Sequence, residues 1–437
     1  MNALDHALQP LAGLRLARLP RATRLCLEML DRLDGGAIAV ELPDGVRVRA
    51  GHGPLVAHLR VRDHAVFDEA LARGDIGFGE TWMDGLWDTE DLPGLLRLLS
   101  ANRARLQGAI YGRMFRLLSH RLQHLLRANT RSGSRRNIEA HYDLGNDFYA
   151  LWLDPTMTYS AAVFASPDES LAHAQLRKYR RILGELGVQP GQTILEVGCG
   201  WGGFAEVAAT EFGCKVLGIT LSPSQLEFAR ARAERGGFAD RVDFELCDYR
   251  DVRGQYDHIV SIEMIEAVGE RFWPTYFAQL SGLLKPGGRC VVQAITIADA
   301  LFARYRRGTD FIQRHVFPGG MLPSPGAVAQ QAGRAGLEVV GDFAFGRDYA
   351  RTLAHWHRSF DAQAAAVRAQ GFPERFLRMW RFYLAYCEAG FDTGDIDVHH
   401  YVFAHAGAAS RAGLSIAAGA AAIDAACRLI LNLELSP

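Results

Sequence analysis

The stretch Ile194-Leu-Glu-Val-Gly-Cys-Gly-Trp-Gly-Gly203 constrains this chain more than any other. Thr193 to Val197 is a short β-branched and aliphatic run, which predicts a buried parallel strand. The run breaks at Gly198, Gly200, Gly202 and Gly203, and Phe204 to Phe212 then has helical composition. A strand, a glycine turn and a helix N-terminus bring backbone N–H groups close to a nucleotide-like ligand.

Two cofactor readings compete for that turn. Gly198, Gly200 and Gly203 satisfy the dinucleotide pattern G-x-G-x-x-G, which needs an acidic residue roughly 20 positions on to hold a ribose. The second strand, Lys215 to Ile219, runs into Gly218-Ile219-Thr220 with no carboxylate. Glu196, just before the first glycine, is placed to face the amino-acid part of S-adenosylmethionine instead. A methyltransferase is favoured over a dehydrogenase.

The following segments extend the pattern. Ser222-Pro223 reads as an N-cap followed by proline at the first helical position, so a helix through Arg232 starts just after the second strand. Thr220 and Gln225 then lie at the C-terminal edge of the sheet, where open α/β sheets bind ligands. A fourth strand is expected at His258 to Ser261. Pro286-Gly287-Gly288 turns into a fifth, Cys290 to Ile295. The order β-α-β throughout predicts a doubly wound, Rossmann-like class I methyltransferase sheet of α/β class.

The rest of the chain needs a second domain. Its 437 residues, 49% of them hydrophobic, can bury a large core. Residues 1–102 read as a small α+β domain: a hairpin of Ala37 to Leu42 and Val46 to Arg49 around Pro43-Asp44-Gly45, a strand at Leu55 to Val61, and a helix at Asp63 to Ala72. The Gly- and aromatic-rich segment Asp75 to Trp87 reads as a loop closing over apolar material. A scaffold role and lipid binding weigh equally for this domain.

Residues 103–136 carry Arg103, Arg105, Arg113, Arg116, Arg121, Arg127, Arg131, Arg135 and Arg136 without one Asp or Glu. Leu106, Ile110, Met114, Leu117, Leu118, Leu122, Leu125 and Leu126 recur between them at helical spacing. Such a basic amphipathic helix suits either an anionic membrane surface or an interdomain linker with a solvated face. Ser132-Gly133-Ser134 reads as the hinge to a catalytic domain over 137–410. Residues 411–437 form an Ala-rich tail, interrupted by Asp424 and Arg428, that reads as a packed terminal helix rather than a membrane span.

The formal net charge of −1 argues against nucleic-acid binding. Seven scattered cysteines with no C-x-x-C pair suit a reduced compartment and exclude a zinc-site spacing. With no apolar segment behind the first charges, no signal peptide is expected. A cytoplasmic protein, peripheral at the inner face of the membrane, is the expectation.

Family resemblance becomes specific at Asn137-Ile-Glu-Ala-His-Tyr-Asp-Leu-Gly-Asn-Asp-Phe-Tyr149 and Trp152-Leu-Asp-Pro-Thr-Met-Thr-Tyr-Ser160. Glu196-Val-Gly-Cys-Gly-Trp-Gly202, Gly218-Ile-Thr-Leu-Ser-Pro-Ser-Gln225, Met264-Ile-Glu-Ala-Val-Gly269 and Tyr383-Leu-Ala-Tyr-Cys387 continue it. These blocks resemble the cyclopropane-fatty-acyl-phospholipid synthase family, over about residues 137 to 405. The resemblance implies S-adenosylmethionine, a cis-unsaturated acyl chain of a membrane phospholipid, and transfer of a one-carbon unit to its double bond. It assigns Tyr159, Ser160, Thr220, Gln225, Tyr249 and Arg250 to the cofactor beside the glycine loop, and Glu266, Tyr383 and Cys387 to the active site. A homodimer is a further expectation.

The implied chemistry makes its own demand. Methylating an alkene leaves a carbocation, so the site needs negative charge or aromatic faces, plus a base to remove one proton. Glu266, just past the fourth strand, offers charge; Tyr383 and Cys387 are four apart and share a helix face. The family commonly holds a bicarbonate base with a Cys, Glu, His, Ile and Tyr, and the matching positions here are Ala161, Glu266, Gln293, Ile295 and Tyr383. Loss of the thiol and the imidazole removes two polar contacts, although Gln293 still donates through its amide. A cyclopropane ring is the favoured product. A methylene- or methyl-branched chain, a small-molecule methyltransferase and a non-catalytic lipid-binding protein are the alternatives.

Overall fold

The computed structural model of the chain describes residues 8–11, 18–106 and 144–407. The basic run beyond Leu106, the start of the motif at Asn137 and the tail 411–437 lie outside the described residues.

Among the described residues, strands β1 (Gln9–Pro10), β2 (Gly36–Glu41), β3 (Arg47–His52), β4 (Leu55–Val61) and β5 (Trp87–Asp88) form one sheet, ordered β1-β3-β2-β4-β5. The expected hairpin is present: β2 and β3 pair antiparallel, and the turn between them uses Gly45 at φ +82°. The segment expected as a closing loop is instead largely a helix, Asp75–Met83. Its glycines serve contact rather than bending. A Cβ on Gly77 would stand 2.2 Å from the Glu69 carbonyl oxygen, and one on Gly79 would stand 2.4 Å from the Phe311 ring. Glycine costs about 1 kcal/mol in a helix, and burial of Ile76, Trp82 and Met83 on the same helix exceeds that.

The second sheet contains β6 (Thr193–Val197), β7 (Lys215–Thr220), β8 (Val242–Leu246), β9 (Tyr256–Ile262), β10 (Leu284–Ile297), β11 (Leu337–Ala344) and β12 (Ile396–His405). The order is β11-β12-β10-β9-β6-β7-β8. Strands β6 to β10 are parallel neighbours, as a doubly wound sheet requires, while β12 runs antiparallel to both β10 and β11. Side chains alternate across it. Ile194, Val216, Val260 and Val291 join the Leu171–Leu186, Gly203–Thr210 and Pro223–Gly236 helices on one face. Leu195, Ile219, Ile259 and Val292 join Trp273–Leu283 and Pro325–Arg334 on the other. Period-two burial on both faces is what β-branched strands between helical layers produce.

One core cluster runs from the N-terminal sheet into the helices beside the second sheet. Helix Glu374–Asp392 packs against Gly346–Ala362 and against the N-terminal helices Asp75–Met83 and Leu92–Ala101. Trp82 Nε1 donates to the Arg378 carbonyl at 2.8 Å, and Arg378 Nη2 donates to the Trp87 carbonyl at 2.8 Å. Trp356, Trp380 and Phe360 are fully buried there. Truncating any one would cost on the order of 3–5 kcal/mol. The helix carrying Tyr383 is thus held from both sides.

No helix among the described residues is long and apolar enough to cross a membrane.

Candidate active site

Strand order reverses at β6, with β9 on one side and β7 on the other, and the glycine turn leaves β6 at that point. Gly198, Gly200 and Gly202 take φ values of +87°, +51° and +81°, which side chains rarely adopt. Gly198 N and Cys199 N donate to the Ile219 carbonyl at 3.0 and 2.9 Å, pinning the turn to the end of β7. A Cβ on Gly198 would meet Met264 Cγ at 3.2 Å, and one on Gly202 would meet Phe244 Cζ at 3.1 Å. A Cβ on Gly200 would have no neighbour within 4 Å, so Gly200 lines the open side of the cradle.

Glu196 lies beneath that turn, buried, with Oε2 lacking a hydrogen-bond partner. Burial raises its pKa well above the carboxylate range, against the pull of Lys178 and Arg232. A buried acceptor with no donor suits an ammonium group, and the turn above it suits a ligand's polar backbone contacts. These residues fit S-adenosylmethionine.

The remaining expected cofactor residues gather along the same sheet edge. Thr220, at the end of β7, donates from Oγ1 to Gln225 Oε1 at 3.0 Å, and Ser222 accepts from Gln225 N at 3.3 Å as the expected cap. Past β8, Arg250 donates from Nε to Asp248 Oδ1 at 2.7 Å, with its guanidinium 5.4 Å from the Tyr249 ring. Tyr249 meets Tyr276 edge to face at 5.7 Å. Ser160 accepts from Lys178 Nζ at 2.5 Å. Burial brings the Lys178 ammonium down to about 7, although Glu263, Asp154 and Glu196 support its charge.

Tyr159 and Tyr383 meet through their hydroxyls at 2.7 Å. The Tyr159 ring has the aromatic rings of Tyr149, Trp152 and Trp356 at 5.4, 5.5 and 5.3 Å. Trp380 and Phe317 stand edge to face with Tyr383 at 5.3 and 6.0 Å. Such a cluster presents several ring faces to a cation. Cys387 follows one turn later on the same helix. Burial, aided by the Asp310 charge, raises its pKa, so the thiol stays protonated.

Two carboxylates follow the end of β9. Glu266, on the short helix Ile265–Val268, accepts from Ile295 N at 2.5 Å, while its Oε2 is buried without a partner. Burial and the Glu263 charge push its carboxyl up to about 8. Glu263 is the residue that sequence reasoning missed. Its Oε1 accepts from Ala161 N at 2.8 Å and from Gln293 Nε2 at 2.6 Å, and its Oε2 accepts from the Tyr349 hydroxyl at 2.7 Å. The available signal was Glu263-Met-Ile-Glu266, two acids three apart behind a buried strand. Ala161 and Gln293, expected to leave a bicarbonate site thinned, instead donate to this side chain.

The chain matches a family model described as mycolic acid cyclopropane synthetase over residues 129–401. A tuberculostearic acid methyltransferase of Mycobacterium tuberculosis is 42% identical over 352 residues, covering 78% of this chain and 82% of that protein. The cyclopropane-fatty-acyl-phospholipid synthase of Escherichia coli K12 is 35% identical, covering 81% and 90%. A solved mycolic acid cyclopropane synthase complexed with SAH and CTAB is 32% identical with a TM-score of 0.58, covering 62% of this chain and 97% of that one.

Proposed function

Because the chain belongs to the mycolic acid cyclopropane synthetase family and is an S-adenosylmethionine-dependent methyltransferase acting on lipids, we propose a specific reaction for it. It transfers the methyl carbon of S-adenosylmethionine to the cis double bond of an unsaturated phospholipid acyl chain, through a carbocation that loses one proton. The observation that carries this reading is a pair of buried carboxylates past β9, Glu266 with Oε2 unpartnered and Glu263 bonded to Tyr349, whose ring meets the Trp356 that packs on Tyr159. A cation formed at the double bond needs negative charge and ring faces near it.

In this reading Gly198, Gly200, Gly202 and Glu196 hold the amino-acid end of the cofactor. Thr220 and Gln225 line the β7 edge, Tyr249 and Arg250 the adenine side, and Tyr159 and Ser160 close over it. Glu266 and Tyr383 face the cation, with Ile295 orienting Glu266 through its N–H. Cys387 contributes packing beside Tyr383. The protein meets its lipid at an anionic membrane surface as a peripheral protein, and pairs as a homodimer.

Ring closure gives a cyclopropane chain. A second reading, a methylene- or methyl-branched chain, is favoured by one observation: Ala161 and Gln293 stand where the family commonly has Cys and His, so the base differs. Isomeric ring and methylene products share a mass, so NMR decides. Lipid recovered after incubation with cis-unsaturated phospholipid and methyl-labelled cofactor should show upfield ring-methylene protons for the first reading. Vinylidene or methyl-branch signals select the second, and unlabelled lipid rejects the reaction itself.

A further inference from the structure

We propose that the Glu263 carboxylate is the base of this reaction, occupying with its own oxygens the place where the resemblance puts a bicarbonate ion. The inference rests on the proposed methyl transfer to an alkene.

Its first support is the set of donors. The two positions that depart from the family pattern, Ala161 and Gln293, both donate to Glu263 Oε1, at 2.8 and 2.6 Å. Ala161 donates through its backbone N–H, and the glutamine amide supplies a side-chain donor. Gln293 is oriented from behind: its Oε1 pairs with His400 Nε2 at 2.9 Å, which leaves its Nε2 aimed at Glu263. These groups cannot hold a free bicarbonate while they hold Glu263. The expected bicarbonate therefore does not fit this site.

The backbone is the second support. Glu263 sits at φ +49°, in the left-handed region, and its N–H donates to the Gln293 carbonyl at 2.8 Å. A non-glycine residue held there is strained, and such strain collects at functional sites. Here it directs the side chain just past β9 onto Ala161, Gln293 and Tyr349.

Charge is the third. Three donors act on a carboxylate with roughly four lone-pair sites, so Oε2 keeps one for a proton. Buried Lys178 supports the Glu263 anion, whereas Glu266 has one donor. The two acids therefore divide their work: Glu263 carries the charge, and Glu266 holds a proton until positive charge arrives. Burial keeps Glu263 more basic than a surface carboxylate, which suits a proton acceptor.

The electron balance is as follows. The alkene π pair forms the new C–CH3 bond, and sulfur keeps the pair of the broken S–CH3 bond. The neighbouring carbon becomes the cation. A C–H bond of the new methyl group then breaks, its proton moves to Glu263 Oε2, and its electron pair closes the ring. If a hydride first shifts from the methylated carbon to its neighbour, the same pair forms a C=CH2 double bond on the open chain instead. The proton passes to water when product leaves.

The test uses the full-length chain, methyl-labelled S-adenosylmethionine and vesicles of cis-unsaturated phospholipid in buffer freed of carbon dioxide. Wild-type turnover should be the same with and without added bicarbonate. Glu263→Gln should lower kcat by roughly 100-fold or more while leaving cofactor affinity unchanged. Glu263→Gly suits the φ and frees the donors, so its lost activity should return in part when bicarbonate is added. NMR titration with 13C-bicarbonate gives a readout apart from turnover: Glu263→Gly should bind it and wild type should not. Bicarbonate-dependent turnover or bicarbonate binding by wild type, or near-normal turnover in Glu263→Gln, would overturn the assignment. Unlabelled lipid from folded, cofactor-binding wild type would reject the proposed reaction, and the bicarbonate titration would still decide who occupies the site.

Discussion

The hydroxyls of Tyr159 and Tyr383, 224 positions apart in sequence, share a 2.7 Å hydrogen bond. One residue precedes the seven-stranded sheet and the other lies on the Glu374–Asp392 helix, which packs against both Gly346–Ala362 and the N-terminal helices. Their bond ties a cofactor-side residue of the proposed site to a cation-side one.

That bond should matter more to turnover than to cofactor binding. Tyr383→Phe removes one hydroxyl and keeps the ring, so kcat should fall roughly tenfold, on the scale of one buried hydrogen bond. Tyr159→Phe should act similarly, and the double variant should cost little more than either single one. Fully additive losses would mean that the two hydroxyls act separately.

Gly200 is the place to break cofactor binding alone. Its φ of +51° disfavours any side chain, and a β-branched one most. The space beside it is open, so Gly200→Val strains the turn without displacing a packed neighbour. Calorimetry should show S-adenosylmethionine binding lost; unchanged affinity would place the cofactor elsewhere.

Glu266 should couple cofactor binding to a proton. Its carboxyl is pushed up to about 8, so at pH 7 the protein alone holds it mostly protonated. A cationic sulfonium nearby favours the ionised form. Binding at pH 7 should release a fraction of a proton, seen as a dependence of the binding heat on the buffer's ionisation heat, and Glu266→Gln should abolish it. Stability follows the same linkage. A carboxyl with a raised folded-state pKa contributes fully below its ordinary value of 4.5 and loses that contribution as pH rises towards 8. The Tm of wild type should therefore fall relative to Glu266→Gln across that window.

The arginine run 103–136 should confer salt-sensitive attraction to anionic vesicles, with each nearby Arg contributing roughly 1 kcal/mol. Changing Arg113, Arg116 and Arg121 to Glu should reduce co-sedimentation at low salt. Equal binding by both forms would make this segment a linker.

Much of the fold was legible because the signals were local. The β-branched run, the positive-φ glycines and the Ser222 cap each act within a few residues, and the structure places β6, the turn and the Pro223–Gly236 helix where those signals lie. The 75–87 segment misled because its glycines answer to Glu69 and Phe311, contacts that composition does not contain. Likewise β12 enters the sheet between β10 and β11, an order that no β-α-β pattern announces.

By itself the sequence determined the alternation of strand and helix, the glycine cradle and the place of Glu266 just past β9, since propensity and backbone sterics are properties of neighbouring residues. Only the tertiary structure decided which acid faces which donor. Parallel register sets Gln293 opposite Ile262, and antiparallel register sets it opposite His400. That double pairing aims its amide at Glu263, while Ala161 and Tyr349 arrive from segments 102 and 86 positions away. A buried carboxylate takes its charge and basicity from the donors around it, and those donors become neighbours only when the chain has folded.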